Sequence, residues 1–218
     1  MITTLLFDFD GTLVDSEAIH FYCWDLVLAE YDIRYDELTF CQRFAGRPTL
    51  ASAEDMVCEH GLQVNPLALA AKKNKLFAER VQNTLPPLMA YAETILHQAH
   101  QAGFTLALVT GSTRDEVEPI LQGYQLSSLF SCIVCKDDVH YPKPHPEPYL
   151  MALEQLSVPA AQGIAIEDTH TGSRSAKDAG LVVAAIPNCH SQVQDFSHVD
   201  QQFQDLRQFY TWLQQNNQ

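Results

Sequence analysis

Basic residues are scarce in this chain: 13 lysines and arginines stand against 27 aspartates and glutamates, a formal net charge of −14. A surface of that sign repels nucleic acid and anionic membranes, so neither is the expected partner. An anionic substrate would have to be attracted locally, by a cation or a few placed lysines and arginines. Long apolar runs are also missing. None approaches the ~20 residues that cross a bilayer, and no charged segment followed by an apolar stretch opens the chain. The expectation is a cytoplasmic protein whose cysteines (Cys23, Cys41, Cys58, Cys132, Cys135 and Cys189) are free thiols. No second pair accompanies Cys132-Ile133-Val134-Cys135, and its β-branched inner residues read as a buried strand rather than a zinc site. There is no internal repeat, and low complexity is confined to a Gln-rich C-terminus that is expected to fray. A monomer is the default expectation.

What is present is ample material for a core. At 218 residues and 46% hydrophobic content, the chain suits one large domain or a domain carrying an insert. It opens on an apolar run that stops at Asp8 and Asp10, after which Gly11 and Thr12 break it. Two carboxylates at a strand end repel and are costly to desolvate, so a cation between them is one reading. A solvated Asp-Gly turn is the other.

From Ser16, a plausible N-cap, to about Thr84 no strand candidate occurs. Helical spacing covers the stretch to Tyr31 and again Leu50 to His60; Gly61 stops that helix and Asn65-Pro66 starts another. These seventy or so residues read as a helical module joined through linkers near Val14–Glu17 and Asn83–Leu88. The expected division is therefore residues 1–15 and 86–218 as the main body and 16–85 as a cap.

The main body alternates. Helix is expected at about Met89–Ala102, Thr113–Gly123, Glu147–Leu156 and Gly172–Ala179, with a last helix holding Leu206, Phe209, Tyr210 and Leu213. Strands are expected at Phe104–Val109, Cys132–Cys135, Gly163–Ile166 and Leu181–Ile186. Short apolar strands between amphipathic helices mean a parallel sheet covered on both faces, a doubly wound (Rossmann-like) α/β domain.

Ligands bind such sheets beyond the carboxyl ends of the strands. Thr110-Gly111-Ser112 follows one strand and precedes a helix, which makes an anion site or an ordinary helix cap. Lys143 sits in a loop stiffened by Pro142, Pro144, Pro146 and Pro148, useful if its charge must be held at a set point. Glu167-Asp168 is a second acidic pair at a strand end, with capping by Asp168 as the plainer account. Four acidic side chains on one sheet edge would demand a hard cation, and oxygen ligands suit Mg²⁺.

Asp8-Phe9-Asp10-Gly11-Thr12-Leu13-Val14-Asp15, Thr110-Gly111-Ser112, Lys143-Pro144 and Glu167-Asp168 together resemble the four motifs of the haloacid dehalogenase superfamily. The helical insertion is similar to the cap of the branch that holds β-phosphoglucomutase, sugar-phosphate phosphatases and phosphoglycolate phosphatase. The resemblance implies an aspartyl-phosphate at Asp8, acid–base work by Asp10, and Mg²⁺ held by Asp8, the Asp10 carbonyl, Asp168 and Glu167. It further implies phosphate binding by Thr110, Gly111, Ser112 and Lys143, and a cis bond at Lys143–Pro144. Substrate selection would fall to the cap, where Ser16, His20, Arg47 and Lys73 are the candidates. Lys73 has a plainer reading as part of a solvated basic face, and Arg47 as the partner of a local carboxylate. The expected activity is a phosphatase acting on a small phosphorylated metabolite, a sugar or polyol phosphate; the alternative is a phosphomutase of the β-phosphoglucomutase type.

Overall fold

Leu5, Leu6 and Phe7 are wholly buried, and the strand they form, β1 (Thr4–Phe7), lies inside a six-stranded sheet in the computed structural model, which describes residues 1–217. The other strands are β2 (Thr105–Val109), β3 (Cys132–Val134), β4 (Gly163–Glu167), β5 (Val182–Ala185) and β6 (Gln201–Gln202). Their order is β3-β2-β1-β4-β5-β6, with every pairing parallel. Side chains alternate between two buried faces, as a sheet covered on both sides requires. Leu5, Phe7, Leu106, Leu108, Ile164 and Ile166 meet α5 (Ala92–Gln101), α6 (Arg114–Gly123) and α9 (Leu206–Asn216). Leu6, Ala107, Val109 and Ala165 meet α7 (Glu147–Leu156) and α8 (His170–Asp178) on the other face. The register aligns Phe7 with Leu108 and Ile166, so the residues that follow these three strands emerge side by side.

Four helices separate β1 from the rest of the sheet: α1 (Glu17–Ala29), α2 (Glu37–Phe44), α3 (Thr49–His60) and α4 (Pro66–Asn83). They enclose an apolar cluster of their own around Trp24, Leu28, Phe40, Phe44, Met56 and Leu69. Gly61 ends α3 in the left-handed conformation, and the Asn65 side chain caps α4 by accepting from Leu67 N–H. The chain enters and leaves this group of helices along one paired track. Val14 bridges Leu88, Asp15 N–H donates to Pro87 O, and Met89 N–H donates to Leu13 O. No helix among the described residues is long and apolar enough to cross a membrane.

The expected elements appear in the expected order, with β6 added to them and with shifts at several ends, four of which have a clear local cause. Helix α5 begins at Ala92 rather than Met89, because Met89 pairs with Leu13 and Tyr91 turns left-handed (φ 69°). Helix α8 begins two residues early, at His170, where the Thr169 hydroxyl accepts from Gly172 N–H and supplies the cap. Strand β3 stops before Cys135, whose N–H turns to the Asp138 carboxylate. The C-terminus is not frayed through Asn217: its side chain accepts from Ile2 N–H at 2.5 Å and donates to Ile2 O at 2.7 Å. Among the described residues all six cysteines are free.

Candidate active site

Two neighbouring strand ends deliver three carboxylates to one point. Asp8 follows β1, while Glu167 closes β4 and Asp168 follows it; one carboxylate oxygen from each lies within 4.8 Å of the other two. Lys143 arrives from the proline-stiffened loop, whose Lys143–Pro144 bond is cis. Its Nζ donates to Asp8 Oδ1 at 2.7 Å, Glu167 Oε1 at 2.5 Å and Val109 O at 2.8 Å, which uses all three ammonium hydrogens. Burial lowers the Lys143 pKa, but Asp8 and Glu167 outweigh it and hold the ammonium charged beyond its ordinary range.

Three buried carboxylates facing one ammonium leave negative charge over. Burial, then Glu167, pushes the Asp8 carboxyl up to about 8 despite Lys143. Burial, then Asp8 and Glu167, raises Asp168 well above the carboxylate range. Asp168 Oδ1 and Glu167 Oε2 are buried and have no hydrogen-bond partner among the described residues, a cost that a bound cation would remove. An all-oxygen, strongly anionic donor set of this kind fits a hard divalent ion such as Mg²⁺. Two glycines let the backbone close on it. Gly11 adopts φ +77°, and a Cβ there would collide with the Asp168 carboxylate; one at Gly172 would collide with that of Glu167.

Asp10 belongs to the same end of the sheet, but its side chain faces the helical insertion. Its carboxylate accepts from Ser16 Oγ and Ser112 Oγ, both at 2.5 Å, and lies 3.4 Å from His20 Nε2. Burial raises its pKa, yet His20 and the two hydroxyls win and hold it at about 2. His20 Nδ1 is in turn 2.7 Å from Lys73 Nζ, and its ring stacks on Phe77 at 4.0 Å. A lysine donating to Nδ1 leaves the proton on Nε2, directed at Asp10.

A cavity of about 120 Å³ opens between these groups and the helices above. Of the residues anticipated from sequence, Asp8, Asp10, Lys143, Asp168, Gly111, Ser112, His20, Arg47 and Lys73 line it. Glu167 lies fully buried, outside the lining. The hydroxyls of Ser16, Thr110 and Ser112 are engaged otherwise than expected. Ser16 is fully buried off the cavity wall, in the helical region and without a capping bond, because the Asp10 anion takes its hydroxyl. Thr110 is also off the wall: its hydroxyl accepts from Ser112 N–H at 3.0 Å, so the two satisfy each other. The Ser112 hydroxyl serves Asp10. Lys73 is not on a solvated face but 2% exposed, 3.8 Å from the buried Glu116 of α6; burial lowers its pKa, with Glu116 opposing. Arg47 pairs with Asp55 at 2.7 Å while still reaching the cavity.

Several contributors escaped the sequence reading. Asn188 donates to Asp168 Oδ2 at 2.8 Å and Tyr149 OH donates to Glu167 Oε1 at 2.6 Å, orienting both carboxylates from behind. Glu17, Trp24, Phe40 and Phe44 also line the cavity. The one available signal was local: Glu17 directly follows Ser16. No spacing rule connects Tyr149 or Asn188 to residues twenty positions away.

A profile described as haloacid dehalogenase-like hydrolase matches residues 5–186. The protein CbbY of Rhodobacter capsulatus is 27% identical over 213 residues, covering 94% of each chain. Validoxylamine A 7'-phosphate phosphatase of Streptomyces hygroscopicus subsp. limoneus is 30% identical over 196 residues, covering 87% of this chain and 88% of its own. In structure, CbbY of Rhodobacter sphaeroides in complex with phosphate superposes with a TM-score of 0.82 at 25% identity, covering 94% of this chain and 95% of its own.

Proposed function

The chain belongs to the haloacid dehalogenase-like hydrolase family, and from that premise we propose that it is a Mg²⁺-dependent phosphatase acting on a sugar or polyol phosphate through an aspartyl-phosphate. The observation that carries the reading is Lys143 Nζ, 2.7 Å from Asp8 Oδ1, beside two buried carboxylate oxygens that lack a partner. That arrangement suits a nucleophile that must approach an anionic phosphoryl group. The relatives support the substrate class, since one is a phosphatase of a phosphorylated metabolite and another holds phosphate in its structure.

Asp8, Asp168, Glu167 and the Asp10 carbonyl are the groups that would hold the ion. When bound, it supplies the positive charge that keeps Asp8 ionised and offsets repulsion between carboxylate and phosphate. Lys143 adds a fixed ammonium; one unlike pair at ~4 Å and an effective dielectric of ~20 is worth about 4 kcal/mol. Asp8 attacks phosphorus, and the leaving alkoxide takes a proton from Asp10. In the second step Asp10 takes a proton from water, which attacks phosphorus and releases inorganic phosphate and the Asp8 carboxylate. Three donors around Asp10 favour its charged form, as the second step needs. A dianionic phosphoryl group arriving nearby opposes that charge and favours the proton needed for the first. Thr110, Gly111 and Ser112 form the phosphate-binding turn, with the Gly111 backbone at the cavity and Thr110 bracing it.

We assign residues 1–15 and 86–218 to the catalytic body and 16–85 to the cap, with His20, Arg47 and Lys73 facing the substrate and Ser16 acting through Asp10. The paired track at Val14 and Leu88 is the pivot on which the cap opens to admit substrate and closes to exclude water. A mutase is the second reading, favoured by the Lys73–His20–Asp10 chain of contacts, which ties proton control at Asp10 to the cap. The test is p-nitrophenyl phosphate hydrolysis with Mg²⁺ or EDTA, together with hexose phosphates and a coupled assay for glucose 1-phosphate isomerisation. Phosphate release that requires Mg²⁺ and is absent in Asp8→Asn supports the phosphatase. Isomerisation without phosphate release replaces it with the mutase, and full activity in Asp8→Asn removes both.

A further inference from the structure

Beside the phosphoryl site, a second group of metal-ligating side chains converges. Glu17 begins α1, Cys41 lies on α2, and His190 sits in the turn after β5; one ligand atom from each lies within 4.8 Å of the other two. Two come from the helical insertion and one from the sheet-bearing body, so their meeting is a tertiary event rather than a consequence of chain proximity. Glu17 is 8% exposed and makes no side-chain hydrogen bond among the described residues, and Cys41 is a buried free thiol. His190 Nδ1 is buried without a partner. Leaving that nitrogen unmatched costs stability. A buried imidazole nitrogen left unmatched beside a carboxylate and a thiol, each a different donor element, indicates a missing partner that all three can bind.

We propose that Glu17, Cys41 and His190 form a second metal site, for a thiophilic divalent ion of the zinc class, that clips the helical insertion onto the catalytic body. Sulfur, imidazole nitrogen and carboxylate oxygen together are the donor set of zinc sites, unlike the all-oxygen set around Asp8. The fourth position falls to water or to Cys189, the exposed neighbour of His190. Metal–thiolate bonding at Cys41 would release the thiol proton to solvent. Glu17 also lines the cavity beside the phosphoryl site. An ion held there fixes the cap in its closed position and inhibits turnover. Only this inhibition rests on the phosphatase reading; binding does not.

The full-length protein, saturated with Mg²⁺, is titrated with Co²⁺ as a spectroscopic probe and then with Zn²⁺. One equivalent of Co²⁺ is expected to produce a thiolate-to-cobalt charge-transfer band that Zn²⁺ bleaches. Cys41→Ser should lose the band, and His190→Gln should weaken Zn²⁺ binding by about tenfold or more. Both variants should keep wild-type melting behaviour and p-nitrophenyl phosphate hydrolysis in Mg²⁺ alone while resisting Zn²⁺ inhibition. A band that is absent in the wild type, or that persists in Cys41→Ser, overturns the site. Equal Zn²⁺ affinity in the wild type and His190→Gln overturns it as well, even if Cys41→Ser fails to fold.

Discussion

Divalent-ion binding is expected to raise the melting temperature, and one substitution at the acidic cluster separates the charge argument from its rivals. Asp8, Glu167 and Asp168 are all less than a tenth exposed, so solvent screens them little. A like-charged pair no more than 4.8 Å apart costs at least about 3 kcal/mol at an effective dielectric of ~20. Partial protonation of Asp168, whose carboxyl is raised by burial and by its two neighbours, already relieves some of that. An ion present at a hundred times its dissociation constant adds about 2.7 kcal/mol. For a chain of this length each kcal/mol is worth roughly 2–4 °C, so saturating Mg²⁺ should raise the calorimetric Tm by about 5–10 °C relative to EDTA. Asp168→Asn removes one charge and keeps an oxygen for Asn188. In EDTA this variant should melt a few degrees above the wild type, and added Mg²⁺ should move it by about a degree or less. If it melts below the wild type in EDTA and still responds fully to Mg²⁺, the reasoning from charge is wrong.

Lys143→Ala strips the ammonium from Asp8 and Glu167. Breaking a buried pair costs about 3–5 kcal/mol, so Tm should fall by about 10 °C, phosphate release should vanish, and Mg²⁺ should restore part of the stability but none of the activity. Lys73→Met removes the 2.7 Å contact to His20; a charged hydrogen bond is worth about 1.5–3 kcal/mol, so kcat/KM should fall about tenfold to a hundredfold, with the Asp10-dependent limb of the pH profile displaced. Asp200 illustrates acid sensitivity away from the site: burial raises its pKa, but Lys177 and the Val183 N–H hold it below the ordinary carboxylate value. Its contribution is present above its unfolded pKa of ~3.9 and is lost as pH falls through the lower folded value. The Tm difference between wild type and Asp200→Asn should therefore narrow through this range as the solution is acidified, and a widening gap would contradict the assignment.

The sheet was readable because its strands are short, wholly apolar and separated by amphipathic helices, a pattern with few other solutions. The chemistry collected at strand ends was readable for the same reason, since topology fixes where those ends meet. Polar Gln201-Gln202 escaped as a strand because its pairing comes from Ala184 and Ala185 rather than from its own residues. A solvated face was one of two readings of Lys73, beside a place at the substrate, because Lys72 and Lys75 flank it. Helix α4 turns only Lys73 inward, to His20, and leaves Lys72 to pair with Glu30 at the surface. The hydroxyls of Ser16 and Ser112 carry no local sign that one carboxylate, Asp10, claims both. Tyr149 and Asn188 were invisible for a different reason. Each orients a site carboxylate across a long sequence separation, and only the packed fold brings them there.

The most direct test of the central claim is to trap the covalent intermediate. A phosphatase assay with Mg²⁺ is quenched during turnover, treated with borohydride, and the peptide containing residue 8 is analysed by mass spectrometry. An acyl-phosphate at Asp8 is reduced to homoserine, so the account predicts homoserine at position 8 in the wild type and none in Asp8→Asn or in EDTA. Homoserine at another aspartate, or unmodified Asp8 in an enzyme that is visibly turning over, would contradict it.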